Sequence, residues 1–177
     1  NMGMMGYRSL RKGLPVLVFL LTLMVGGRAM AGGIGMEMPL NTLSGEVVRM
    51  VDYRGKIVLV NFCASWCAPC LVEIPELIRC QTEYADKGVV VLGVNFMERP
   101  DTERLNAIVA ERGINYTMIH GDPRRMGDLA RTLGGVFGLP TSKLLDREGK
   151  VVRSIVGGLN YQQLEQLLEP MLAGEQP

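Results

Sequence analysis

Residues Ile57 to Pro75 read I-V-L-V-N-F-C-A-S-W-C-A-P-C-L-V-E-I-P, and this stretch decides the fold. Ile57, Val58, Leu59 and Val60 form an apolar, largely β-branched run that suits a buried strand. Past Cys67-Ala68-Pro69-Cys70, the residues Leu71, Ile74, Leu77 and Ile78 recur at helical spacing. The predicted topology is strand, tight turn, helix.

A cysteine at the first turn of a helix sits where unpaired backbone N–H groups and the macrodipole favour negative charge. That makes Cys67 the more acidic thiol and the attacking nucleophile. Cys70 lies one turn deeper on the same side and can resolve a mixed disulfide formed by Cys67. Pro69 lacks an N–H, which costs little where that donor has no helical partner. A C-x-x-C pair is also half of a zinc site, but zinc needs a second ligand pair. The chain has four cysteines and one histidine, and Cys63, Cys80 and His120 do not form such a pair.

The whole stretch resembles the active-site segment of the thioredoxin superfamily, and within it the TlpA/ResA-type extracytoplasmic thiol-disulfide oxidoreductases. Their pattern has the form V-N-F-W-A-x-W-C-x-P-C with an acid three residues after the second cysteine. Asn61, Phe62, Ala64, Trp66, Cys67, Pro69, Cys70 and Glu73 match it, whereas Cys63 stands where that pattern usually has Trp. The resemblance implies an α/β thioredoxin-like fold, a central mixed sheet flanked by helices, with an N-terminal hairpin and a central helix-strand insertion. It also implies reduction of disulfides in protein substrates with no bound cofactor or metal. A membrane electron donor would re-reduce the protein, often in the service of cytochrome c maturation.

Three further positions carry that chemistry. Glu73 lies three residues after Cys70 and so beside it on one helix face. A carboxyl group in a mostly apolar site keeps its proton to higher pH and can pass it to or from Cys70. The competing reading is a solvated helix-surface glutamate. Ordinary thioredoxins carry a buried Asp in the strand where this chain has Asn61. Gly138-Leu139-Pro140-Thr141 matches the family's cis-proline motif, which puts Pro140 opposite the C-x-x-C and Leu139 at the substrate edge; without the resemblance, an ordinary trans bond would be favoured. Trp66, just before the nucleophile, is assigned to the docking surface or to packing.

The remaining chemistry-bearing residues are read more plainly. Free cysteines are usually small buried hydrophobes, which is the expectation for Cys63 and Cys80. Cys63 is also close enough to the motif to be considered a third redox-active thiol. Lys143 replaces a residue that is usually large and apolar in the family, and is expected to face solvent or the substrate groove rather than be buried. A copper-carrying relative of the fold uses C-x-x-x-C plus a distal histidine, one residue longer than the spacing here. The alternative function is therefore a soft-metal chaperone binding through Cys67 and Cys70, with Cys63 as a further ligand. Peroxidase activity is disfavoured because no P-x-x-x-T-x-x-C signature precedes Cys67.

With 177 residues and 47% hydrophobic content, the chain suits one domain with a substantial core. A formal net charge of +1 gives no electrostatic case for nucleic acid. Arg8, Arg11 and Lys12, the apolar run Leu14 to Val25 and Ala29-Met30-Ala31 together read as a secretory signal over residues 1–31. Without it the balance is 15 basic against 18 acidic residues, a net charge of −3. The expected destination is the periplasm, with membrane attachment only if that segment stays uncleaved. Residues 32–38 read as a poorly ordered lead-in and 39–177 as the thioredoxin-like domain.

Along that domain, a hairpin is expected over Pro39 to Tyr53, turning at Ser44-Gly45. The helix from the C-x-x-C should run to about Asp86 despite Pro75, followed by a strand at Val89 to Val94, a helix at Pro100 to Glu111 and a short strand at Ile114 to Ile119. Asp122-Pro123 starts a further helix that buries Met126, Leu129, Ala130 and Leu133. Strands at Ser142 to Leu145 and Val151 to Val156 and a helix at Tyr161 to Leu172, with Leu164, Leu167, Leu168 and Leu172 inward, close the domain.

Overall fold

Alternate side chains of one apolar strand feed two different cores, and that fact arranges the molecule. A computed structural model describes residues 34–175. In it β3 (Ile57–Cys63) sends Val58, Val60 and Phe62 to one face and Ile57 and Leu59 to the other. A strand buried on both faces reads as a continuous hydrophobic run, as this one does. Each fully buried aliphatic side chain contributes about 2 kcal/mol. A slip of one residue would exchange the two sets, so the register is strongly fixed.

The elements follow in chain order. A hairpin, β1 (Leu40–Thr42) and β2 (Val47–Val48), precedes β3. Then come α1 (Ala68–Tyr84), β4 (Val89–Asn95), α2 (Thr102–Arg112), β5 (Thr117–His120) and α3 (Pro123–Thr132). The chain closes with β6 (Thr141–Leu145), β7 (Val151–Val156) and α4 (Tyr161–Leu172). The seven strands form one sheet in the order β2-β1-β5-β4-β3-β6-β7. β3, β4 and β5 run parallel, and the strands outside them pair antiparallel. This is the mixed α/β sheet expected from the sequence.

One face of the sheet is covered by α1 and α4, where Leu77, Cys80, Tyr84, Leu164 and Leu168 meet Ile57, Leu59, Val89 and Val91. The other is covered by α3, where Met126, Leu129, Ala130 and Leu133 meet Val58, Val60, Leu92 and Val94. Asp122 caps α3 by accepting from the Arg124 and Arg125 amides at 3.0 Å each, with Pro123 at the first helical position. Gly113 ends α2 with φ 66°, a left-handed conformation that glycine adopts without a Cβ penalty.

Several boundaries differ from the sequence expectation. Residues 34–37, within the expected poorly ordered lead-in, form a 3₁₀ turn, and Met36 and Met38 pack on the α3-side core. β5 starts at Thr117 rather than Ile114; ahead of it the Asn115 side chain is drawn toward α1, its Nδ2 donating to the Ile78 carbonyl and Thr82 Oγ1 at 3.2 and 2.8 Å. In α4, Met171 is buried while Leu167 and Leu172 are half-buried. Lys143, expected to face solvent or the groove, is 2% exposed. It lies in β6, between β3 and the edge strand β7, on the α3 side of the sheet, and its amine reaches Ser154 Oγ on β7 at 2.7 Å. The expected signal segment, residues 1–31, lies outside the described residues. No helix among the described residues is long and apolar enough to cross a membrane.

Candidate active site

The strand β3 ends at Cys63, and four residues later Cys67 becomes the N-cap of α1. The Cys67 N–H donates to the Ala64 carbonyl at 3.1 Å, which closes the turn between them. Cys67 Sγ accepts from the Cys70 amide at 3.3 Å, so the sulfur occupies the position of a capping oxygen. Pro69 falls in the first turn, where its missing N–H leaves nothing unsatisfied. Cys67 and Cys70 are joined in a disulfide with their Cα atoms 5.2 Å apart. Cys67 is 4% exposed and Cys70 1%.

Beneath the pair lies a buried polar chain. Glu73, on the next turn of α1, is 3% exposed and not the solvated residue that spacing alone allows. Its Oε1 accepts from the Leu159 amide at 2.8 Å and its Oε2 from Asn61 Nδ2 at 2.9 Å. Asn61 Nδ2 also donates to Ser142 Oγ at 3.0 Å. Asn61 belongs to the odd-numbered face of β3, which points toward α1, and its partner across the sheet is Ser142. Burial holds the Glu73 carboxyl above the ordinary range, while the donors from Leu159 and Asn61 pull it back. The loop before α4 supplies the cover: a Cβ on Gly158 would come within 3.8 Å of the Pro69 carbonyl oxygen and 3.9 Å of Glu73 Cβ.

A third element approaches from β6. The Leu139-Pro140 peptide is cis, and half-buried Leu139 packs against the cluster of Ala64, Cys67 and Cys70. The Pro140 carbonyl accepts from the Gly157 amide at 2.9 Å, and Thr141 Oγ1 donates to the Gly138 carbonyl at 2.7 Å. Trp66 is 58% exposed and Phe137 94% exposed. Phe137 is a large apolar side chain three residues before Pro140 to which sequence reasoning assigned no role. The signal was its place in the motif's flank, since nothing in its spacing distinguishes it from a core residue.

Sequence reasoning also missed Glu98, which acts across more than thirty residues and leaves no spacing pattern. Its carboxylate accepts from the Ser65 amide and hydroxyl at 2.7 Å each, and from Asn95 Nδ2. These bonds anchor the turn that carries Trp66 to the end of β4. The neighbouring Met97 has φ 60°, an uncommon conformation for a side chain of its size.

The two other cysteines differ. Cys63, half-buried, borders the redox pair, and burial together with the charges of Glu73 and Glu98 pushes its thiol up to about 12. Cys80 is fully buried in the α1–α4 core, and burial pushes it up to about 12 as well. Both are therefore protonated at neutral pH and poor nucleophiles. His120 stands on β5 opposite Asn41 of β1. Among the described residues, no group of three or more His, Cys, Asp or Glu side chains is placed to hold a metal.

Residues 34–154 match the family model for the AhpC/TSA family. The thiol:disulfide interchange protein HelX of Rhodobacter capsulatus is 38% identical over 120 residues, covering 68% of this chain and 63% of HelX. The thiol-disulfide oxidoreductase ResA of Bacillus cereus is 32% identical over 139 residues, covering 77% of each chain. Among solved structures, a thiol:disulfide interchange protein of the thioredoxin family from Chlorobium tepidum superposes with a TM-score of 0.65 at 27% identity, covering 80% of this chain and 99% of that one.

Proposed function

The chain belongs to the AhpC/TSA family and is a thioredoxin-like thiol-disulfide oxidoreductase of the ResA/HelX type, and from that premise we propose that it reduces disulfides of exported proteins in the periplasm. The observation that carries this reading is the Cys67–Cys70 disulfide at the start of α1 with buried Glu73 one turn below it.

In the reduced protein, Cys67 is the thiolate. Its negative charge meets the free N–H groups and the positive end of the α1 dipole, and the Cys70 amide donates to it. The Cys67 sulfur attacks one sulfur of a substrate disulfide, forming a mixed disulfide and releasing the substrate's other sulfur as a thiolate that takes a proton from water. The Glu73 carboxylate then accepts the Cys70 proton. Cys70 attacks the Cys67 sulfur, the second substrate thiolate departs, and the Cys67–Cys70 disulfide is left behind. Two electrons have passed to the substrate, and a membrane-bound dithiol donor returns two by the reverse exchange.

Trp66, which precedes Cys67, and Leu139, which packs on the pair, suit an extended substrate segment, with the backbone before Pro140 pairing to it. The ResA/HelX resemblance supports a role in keeping cytochrome c thiols reduced before haem attachment. Supporting export are the signal-like residues 1–31 and the persistence of disulfides outside the cytosol.

The experiment is substrate trapping. Cys70→Ser removes the resolving thiol, so substrates should remain covalently joined to Cys67 and be released by dithiothreitol, with exported cytochrome c apoproteins among them. Absence of any dithiothreitol-sensitive adduct, together with a redox titration in which Cys67 and Cys70 do not interconvert with their disulfide, would overturn the assignment.

A further inference from the structure

Two charged side chains are buried among the described residues, Glu73 and Lys143, and they lie on opposite faces of the sheet. Ser142 and Leu144 of β6 point to the α1 side, and Lys143 and Leu145 to the α3 side. Glu73 is met by two donors. Lys143 carries three N–H bonds and is met by one acceptor, Ser154 Oγ at 2.7 Å. Among the described residues no carboxylate lies within ion-pairing distance of it. Two of its N–H groups therefore lack a protein acceptor among the described residues, and burial lowers its affinity for the proton.

Lys143 is nevertheless not sealed in. It lines, from the buried side, an open hollow between the end of α3, the 3₁₀ turn at Ile34–Glu37 and the β6–β7 hairpin. Met36, Leu133 and Val151 provide apolar walls, and Ser154 and Lys150 stand exposed at the rim. Ser154 accepts from Lys143 and keeps its own O–H free to donate. Thr132, also on the wall, has its hydroxyl committed to the Asp128 carbonyl at 2.9 Å. The charged groups facing this space are thus both cationic.

We propose that this hollow is a binding site for a small organic carboxylate, whose oxygens meet the Lys143 ammonium and the Ser154 hydroxyl while a short apolar tail lies against Met36, Leu133 and Val151. An ammonium and a hydroxyl match the two oxygens of one carboxylate. A phosphate would bring additional strongly hydrated oxygens against apolar walls that cannot replace their water. Lys150 at the rim adds long-range attraction for the anion. The site is independent of the cysteine pair, and its occupation does not enter the disulfide exchange.

The test titrates the full oxidised chain with sodium butyrate, using sodium chloride and sodium phosphate at matched ionic strength, read by amide and lysine-ammonium NMR shifts. Butyrate should give a saturable response centred on Lys143 and Ser154, with phosphate weaker and chloride silent. Lys143→Met should weaken butyrate binding about tenfold or more, the loss expected for a charge-assisted hydrogen bond. Ser154→Ala, an exposed edge-strand change, should weaken it by a smaller factor, and both variants should keep wild-type disulfide exchange. If Lys143→Met fails to fold, the wild-type shift map and Ser154→Ala decide the matter. A butyrate response no different from chloride, phosphate binding as tight as butyrate, or butyrate binding unchanged in either variant would overturn the proposal.

Discussion

Cys70 and Cys80 lie on the same helix, ten residues apart, and differ in everything that matters for reactivity. Cys70 sits in the first turn, bonded to the capping Cys67, with Glu73 just below. Cys80 sits in the helix interior among Leu77, Tyr84 and Leu164, with its thiol pushed up to about 12 by burial. Cys63 lies beside the reactive pair yet resembles Cys80, because burial, together with the neighbouring acids Glu73 and Glu98, pushes its thiol up to about 12. On the proposed mechanism it is the helix end, and not proximity to the site, that makes a thiol reactive.

The largest effect that could break this contrast is at the cap. Cys67→Ala should reduce disulfide exchange to background in a model-disulfide turnover assay, whereas the fold, measured by thermal unfolding, should survive. Next comes the carboxyl. Glu73→Gln keeps the shape and the acceptor for Leu159 but cannot take a proton, and should slow the resolving step by about a hundredfold. Single-turnover release from a mixed disulfide reads that step directly.

The same variant sharpens the electrostatic half of the comparison. Burial raises the folded-state pKa of Glu73 above its unfolded value near 4.3. The associated stability is fully present below that unfolded value and is lost as pH rises through the folded one. The urea midpoint of the wild type should therefore fall relative to Glu73→Gln as pH rises from about 4.3 through the raised folded-state value. A constant difference across that range would show that the carboxyl is not perturbed.

Smaller effects belong to the inert thiols. Cys80→Ser places a hydroxyl in an apolar core and should cost about 1 to 3 kcal/mol of stability with no change in exchange rate. Cys63→Ala should be the quietest, leaving the exchange rate within about twofold, as expected where thiolate content is negligible. A large loss of rate on removing Cys63 would restore it as a third participant.

Sequence alone determined the parts that rest on local backbone chemistry. The apolar run ending in C-x-x-C, Asp122-Pro123 and Gly113 act within a turn or two of themselves, so strand, helix starts and helix stops could be read from neighbours. The same locality placed Glu73 beside Cys70. What only the tertiary structure decided depends on residues far apart in the chain. The burial of Glu73 comes from Leu159 and the loop that carries it, the Asn61–Ser142 link from strand pairing, and the anchoring of Ser65 from Glu98. Lys143 shows this most plainly. Residue type predicts exposure, but strand register turned it toward α3 and buried it, because a side chain's face is set by the pleat and not by its own hydration.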